Sequence, residues 1–228
     1  MRWITSVICL LLMSFPEHLL AQATRHTAAV ELIGHRGPIF YATYSPDGRT
    51  IATAGNDSTI VIHTGDGEFV RSIEAQQGVL FSVQFNHDGT RVVAAGQARI
   101  FKAWRVATGI TTNHLPRDDM RPTFASYSHD SQYLAGADFD GNIILWRGFE
   151  GIFVRKYAGH KGKITTVTFS PDGTRLLTGG QDGYRIWDVQ TGDLVRHVTD
   201  SLTMPHAFYS HDGRMIVTNN AIDTSAVI

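Results

Sequence analysis

The chain has 228 residues, 43% of them apolar, and its 20 Lys and Arg against 21 Asp and Glu leave a formal charge of −1. That is enough apolar material for one domain with a sizeable core. With no long run of either sign there is no electrostatic footprint for nucleic acid or an anionic membrane, and partners chosen by bulk charge are excluded.

From the N-terminus, Arg2 precedes an apolar run at residues 4–15, and Ala21-Gln22-Ala23 gives a small-x-small site. This pattern predicts a signal peptide over 1–23, cleaved after Ala23, with one domain over 24–228. The apolar run is shorter than a bilayer-crossing helix needs, so no membrane span is expected after cleavage. The single cysteine, Cys9, lies inside the signal. The mature chain would then have no disulfide, no sulfur ligand for a metal and no cysteine nucleophile. Export without disulfides fits a bacterial envelope, with a periplasmic or extracellular location.

Beyond the signal, one turn recurs: Ser45-Pro46-Asp47-Gly48, Asn86-His87-Asp88-Gly89, Ser128-His129-Asp130-Ser131, Ser170-Pro171-Asp172-Gly173 and Ser210-His211-Asp212-Gly213. Its Asp positions step by 41, 42, 42 and 40 residues, a period that marks a repeat array. Within the first repeat, β-prone runs at 39–44, 50–54, 59–64 and 69–73 are separated by tight turns. Four short strands without 3.6-residue periodicity make a meander, not a βαβ unit. The same phase gives repeats at about 34–74, 75–116, 117–158 and 159–199, and a partial one at 200–228. A lone four-stranded sheet cannot bury both faces, and radial stacking of such sheets is a β-propeller.

Gly34-His35 and Gly159-His160 precede first strands, and Trp187-Asp188 ends a third strand. Trp104 and Trp146 fall in the same third-strand slot as Trp187. On these residues the segment from about 28 to 228 resembles the WD40-repeat family. The resemblance implies an all-β propeller of WD40 type, with four complete blades and a partial fifth. It also implies a buried set of His, Ser or Thr, Asp and Trp in each blade. The fourth repeat matches throughout with His160, Thr178, Asp182 and Trp187. The first offers His35, Thr53 and Asp57, with His63 in place of Trp. In the third, Asp140 and Trp146 match while Asp118 and Gly136 do not; in the second only Trp104 matches, beside Ala94 and Ala98. Repeats two and three should rely more on apolar packing.

His87, His129 and His211 fall where Pro stands in the other turns, which reads as turn chemistry and not as metal ligation. The His35–Asp57 and His160–Asp182 pairs superficially suggest a relay, yet a catalytic group would not need copies. Asp138 to Asn142 lacks the downstream Glu of a calcium loop, and no phosphate loop, zinc motif or nucleophile elbow is present. No active site, metal or cofactor is expected.

Binding remains. By the family resemblance, partners dock where the fourth-to-first and second-to-third strand loops emerge. That nominates Phe40, Phe81 and Phe139 as aromatic anchors, with Asn56 and Gln181 beside them. The expected function is a non-enzymatic scaffold binding protein partners through propeller loops; the alternative is the sensory or recruiting portion of a larger exported enzyme. A propeller hydrolase or quinoprotein with a ligand in the channel is a third reading. At the ends, residues 29–33 read as a lone strand and 224–228 as the start of a third strand. The array is then either a five-bladed ring closed by its N-terminal strand, or an open arc from a longer ring.

Overall fold

A computed structural model describes residues 30–116, 120–148, 150–199 and 206–218. The expected signal peptide, Ala29, Asp118 and the strand expected at 224–228 lie outside them. The described residues contain strands and turns, and no helix long and apolar enough to cross a membrane. Four four-stranded antiparallel sheets follow one another, each with its strands in sequence order. The first comprises β1–β4 (Ile39–Tyr44, Thr50–Gly55, Thr59–Thr64, Phe69–Glu74), the second β5–β8 (Leu80–Phe85, Arg91–Gly96, Ile100–Arg105, Thr111–Pro116). The third comprises β9–β12 (Pro122–Tyr127, Tyr133–Asp138, Asn142–Arg147, Phe153–Ala158), the fourth β13–β16 (Ile164–Phe169, Arg175–Gly180, Gly183–Asp188, Leu194–Val198). A two-stranded sheet, β17 (Ala207–Tyr209) and β18 (Ile216–Thr218), begins the fifth unit. These are repeated blades of a WD40-type propeller.

The repeated turn joins the first and second strands of each blade. In the first, Ser45 Oγ donates to Asp47 Oδ1 at 2.6 Å and accepts from Thr50 N–H at 2.9 Å, while Gly48 N–H donates to Ser45 O. Gly48, Gly89, Gly173 and Gly213 all have φ of 70–71°, a conformation that costs a side chain strain. Ser131 holds the same slot in the third blade at φ 58°, and its hydroxyl accepts the His87 N–H at 3.0 Å, tying that turn to the second blade's.

The core lies between neighbouring sheets. Ile60, Ile62, Leu80, Val83 and Trp104 pack between blades one and two. Phe101, Ala125, Leu134 and Trp146 fill the next interface, and Ile143, Leu145, Ile164, Leu176 and Trp187 the third. Each fully buried side chain of this size contributes about 1.5–3 kcal/mol, so each blade is stabilised chiefly by its neighbours.

One expected element is corrected. Residues 30–33 of the expected lone strand join no sheet. Val30 and Ile33 are exposed, and the Ile33 carbonyl is held instead by a 2.8 Å bond from His63 Nε2. A backbone acceptor satisfied by a side chain has less need of a ladder.

Candidate docking face and its polar supports

In the fourth blade, Trp187 Nε1–H donates to Thr178 Oγ1 at 3.0 Å, and the Thr178 hydroxyl lies 2.7 Å from His160 Nε2. His160 Nδ1 lies 2.6 Å from Asp182 Oδ1. One proton assignment satisfies the whole line: Nδ1–H donates to the carboxylate and Nε2 accepts from the hydroxyl. Burial pushes the imidazole down to about 4, Arg185 adds to that, and the Asp182 contacts oppose it. The ring is therefore neutral. For Asp182, burial acts to raise the carboxyl, but bonds from Arg185, His160 and the Lys161 N–H hold it well below the usual carboxylate range. Arg185 donates two bonds to Asp182, at 3.0 and 2.8 Å. Its Nη1 also lies 2.6 Å from His160 Nδ1, but that nitrogen already carries the proton given to Asp182.

The first blade departs at one residue. His35 contacts Thr53 Oγ1 at 2.8 Å and Asp57 at 3.0 Å, and the Thr59 hydroxyl donates to Asp57 at 2.7 Å. Burial acts against ionisation of Asp57, yet the Arg36 N–H, the Thr59 hydroxyl and His35 hold it down to about 2. His63, where Trp187 stands in blade four, points to Ile33 O, and its buried Nδ1 has no partner. Thr53 directs its hydroxyl toward Val61 O at 3.3 Å as well.

Blade three has no such line. Gly136 stands in the hydroxyl slot, and a Cβ there would meet Phe101 at 2.7 Å and Trp146 at 2.9 Å. Asp140 is on the surface, its side chain 47% exposed, accepting from Arg121 Nη2 at 2.5 Å. The buried carboxylate of this turn is Asp138, fully enclosed and accepting from the N–H groups of Asp140 and Asn142 and from Asn142 Nδ2. In the second blade Trp104 is 1% exposed beside buried Ala94.

These buried groups brace loops at one end of the blades. At that end the first strand of each four-stranded blade carries a bulge: the register skips at Phe40 between Ile39 and Tyr41, at Phe81 between Leu80 and Ser82, at Thr123 between Pro122 and Phe124, and at Thr165 between Ile164 and Thr166. The extra residue of a bulge is ejected from the ladder, a common way to re-aim a side chain. Thr165 and Thr123 turn back to bond the carbonyls of Gly179 and Ala137. A phenyl ring makes no such bond. Phe40 is 54% exposed, and Asn56 and Gln181 are exposed in the adjoining turns. Phe81 and Phe139 are half-buried and meet edge to face at 5.7 Å. Arg121 and Lys163 lie over the Phe139 ring at 5.5 and 4.8 Å. Sequence reasoning named the aromatics but missed both cations and Arg185. Arg121 and Lys163 stand two residues before the bulge positions Thr123 and Thr165, and Arg185 lies in β15 three residues after Asp182.

At the opposite end the rings of His87 and His129 are 4.0 Å apart. Burial, with His87 and His211 nearby, lowers the His129 pKa from its ordinary value. Among the described residues no group of three or more His, Cys, Asp or Glu is placed to hold a metal ion.

Two segments of the chain, 27–64 and 151–188, match the family described as "WD domain, G-beta repeat". They are the two repeats in which a histidine, a hydroxyl and an aspartate line up. Among curated proteins, the chain is 24% identical over 207 residues to Autophagy-related protein 16 of Arabidopsis thaliana, covering 89% of this chain and 40% of that one. It is 28% identical over 190 residues to a guanine nucleotide-binding protein subunit beta of Oryza sativa subsp. japonica, covering 75% and 49%. It is 28% identical over 178 residues to Protein groucho of Drosophila melanogaster, covering 74% and 24%. The chain thus spans less than half the length of these relatives. They are plant and animal proteins, and they lend no support to a bacterial origin.

Proposed function

We propose that the chain is a non-enzymatic scaffold that docks protein partners on the loop end carrying Phe40, Phe81 and Phe139. The observation that carries this reading is the bulge column. Two blades eject a phenylalanine where two others turn a threonine back onto the backbone, and the ejected Phe40 stands more than half exposed. Exposed aromatic anchors are the typical centres of docking energy. A relative named as a subunit, the guanine nucleotide-binding protein subunit beta, agrees with a part that works within assemblies. Asn56 and Gln181 would form the polar surround.

The test is capture of partners by wild type and by the Phe40→Ala, Phe81→Ala, Phe139→Ala triple variant, with circular dichroism confirming that both are folded. Loss of capture with an unchanged spectrum is expected; undiminished capture rejects the face. The alternative is a recruiting portion of a larger exported enzyme; the coverage of less than half of each relative bears on length alone, and on neither catalysis nor export. A catalytic domain encoded beyond Ile228 would select it. Export itself rests on Arg2 and the apolar run at 4–15, and predicts a secreted product whose N-terminus is Thr24 by mass spectrometry.

A further inference from the structure

Charge on the docking face is unevenly committed. Each carboxylate of the described loops there already has donors: Asp57 from the Arg36 N–H and Thr59, Asp182 from Arg185, His160 and the Lys161 N–H, Asp140 from Arg121, and Asp138 from its own turn. The cations are different. The side chains of Arg36, Lys161 and Lys163 pair with no carboxylate among the described residues. Arg36 and Lys161 spend only their main-chain N–H groups, each on the carboxylate that braces its loop. Lys163 sits with its amine over the Phe139 ring, which the Phe81 edge meets from the neighbouring blade.

We infer that this face takes an extended peptide segment of a protein partner whose acidic side chains pair with Lys161 and Lys163 while a bulky apolar side chain seats on the Phe81–Phe139 pair. The inference rests on the docking reading above and adds the chemistry of the partner. A carboxylate arriving at Lys163 completes an ion pair over an aromatic floor that already excludes part of the water. Complementary charge of this kind raises the association rate and selects against basic segments. A basic segment would meet the side chains of Arg36, Lys161 and Lys163, none of them paired with a carboxylate among the described residues. Net charge does not reveal this, because it counts engaged and unengaged groups alike.

Short random peptides displayed on phage are sorted on the purified chain, and enriched sequences are remade for titration against wild type, Lys161→Glu/Lys163→Glu and Phe139→Ala. Enrichment of Asp and Glu beside Leu, Phe or Trp is expected. So is a loss of about tenfold or more in affinity on the double charge reversal, and weakening as salt rises. Neutral or basic peptides that enrich, lose binding in Phe139→Ala and ignore the charge reversal would overturn the acidic assignment while leaving the docking face standing. Peptides indifferent to both variants, or no enrichment at all, would overturn the two together.

Discussion

In the fourth blade a hydroxyl, an imidazole, a carboxylate and an indole form a hydrogen-bonded line behind the second strand; in the third the matching space holds the Phe101 ring lying against a glycine. Both arrangements fix a tryptophan, Trp187 or Trp146, in a nearly closed interface. The polar line is interdependent, since deleting any member orphans a buried neighbour at a cost of about 1–3 kcal/mol. The aromatic arrangement depends on shape alone and degrades with lost volume. In the third blade it is the Phe101 ring of the neighbouring blade that fills the space the polar line would take.

The comparison is broken most strongly at Trp146. Trp146→Ala should cost about 3–5 kcal/mol in urea denaturation, because Phe101 loses the ring it packs on at 5.3 Å. Next is acid. The folded pKa of His160, about 4, lies below its ordinary value, so its stabilisation is full above about pH 6.5 and drains as pH falls toward 4. The loss by that point is about 3 kcal/mol. Asp182, held below the carboxylate range, adds its own loss only at lower pH. Urea midpoints measured from pH 7.5 to 4.5 should fall for wild type and fall less steeply for His160→Gln. The slope that remains belongs in part to His129 and His206, both also lowered by burial. An identical slope in the variant would refute the neutral buried ring.

Thr178→Val sharpens the contrast within the polar class. It strands Trp187 Nε1 and His160 Nε2 together, for about 2–3 kcal/mol, whereas Thr53→Val strands only His35, for about 1 kcal/mol. Equal losses would mean that His63 substitutes for the indole after all. Smallest is the surface. Asp140→Asn should leave the melting temperature unchanged, since an exposed pair contributes little, while Asp138→Ala should cost about 2 kcal/mol by opening three buried bonds.

Much of the fold was legible because strand-ending turns and third-strand tryptophans recur at one phase. The departures were not, and each has a physical cause. Counting residues from Gly136 aligns Asp140 with Asp57 and Asp182, but with no imidazole to pair with, it turns outward to Arg121. The enclosed Asp138 carried no signal beyond its place before a turn, because two of its three donors are main-chain N–H groups present in any sequence. His63 fills the indole slot in sequence yet bonds a carbonyl thirty residues upstream, a contact that only the fold creates. On the proposed docking face the aromatics were legible from their phase. The uneven commitment of charge was not, since it depends on which donors reach which carboxylates.

The tight seat of the Phe101 ring over Gly136 binds the two positions into one decision. A hydroxyl cannot be restored to the third blade by changing Gly136 alone, because the new Cβ would overlap the ring at 2.7 Å. Trimming Phe101 alone opens a void. Passage between the two solutions needs a simultaneous exchange, such as Phe101→Leu with Gly136→Thr, together with a shift of the Trp146 ring, which the new Cβ would meet at 2.9 Å; engineered libraries should enrich the paired change over either change alone.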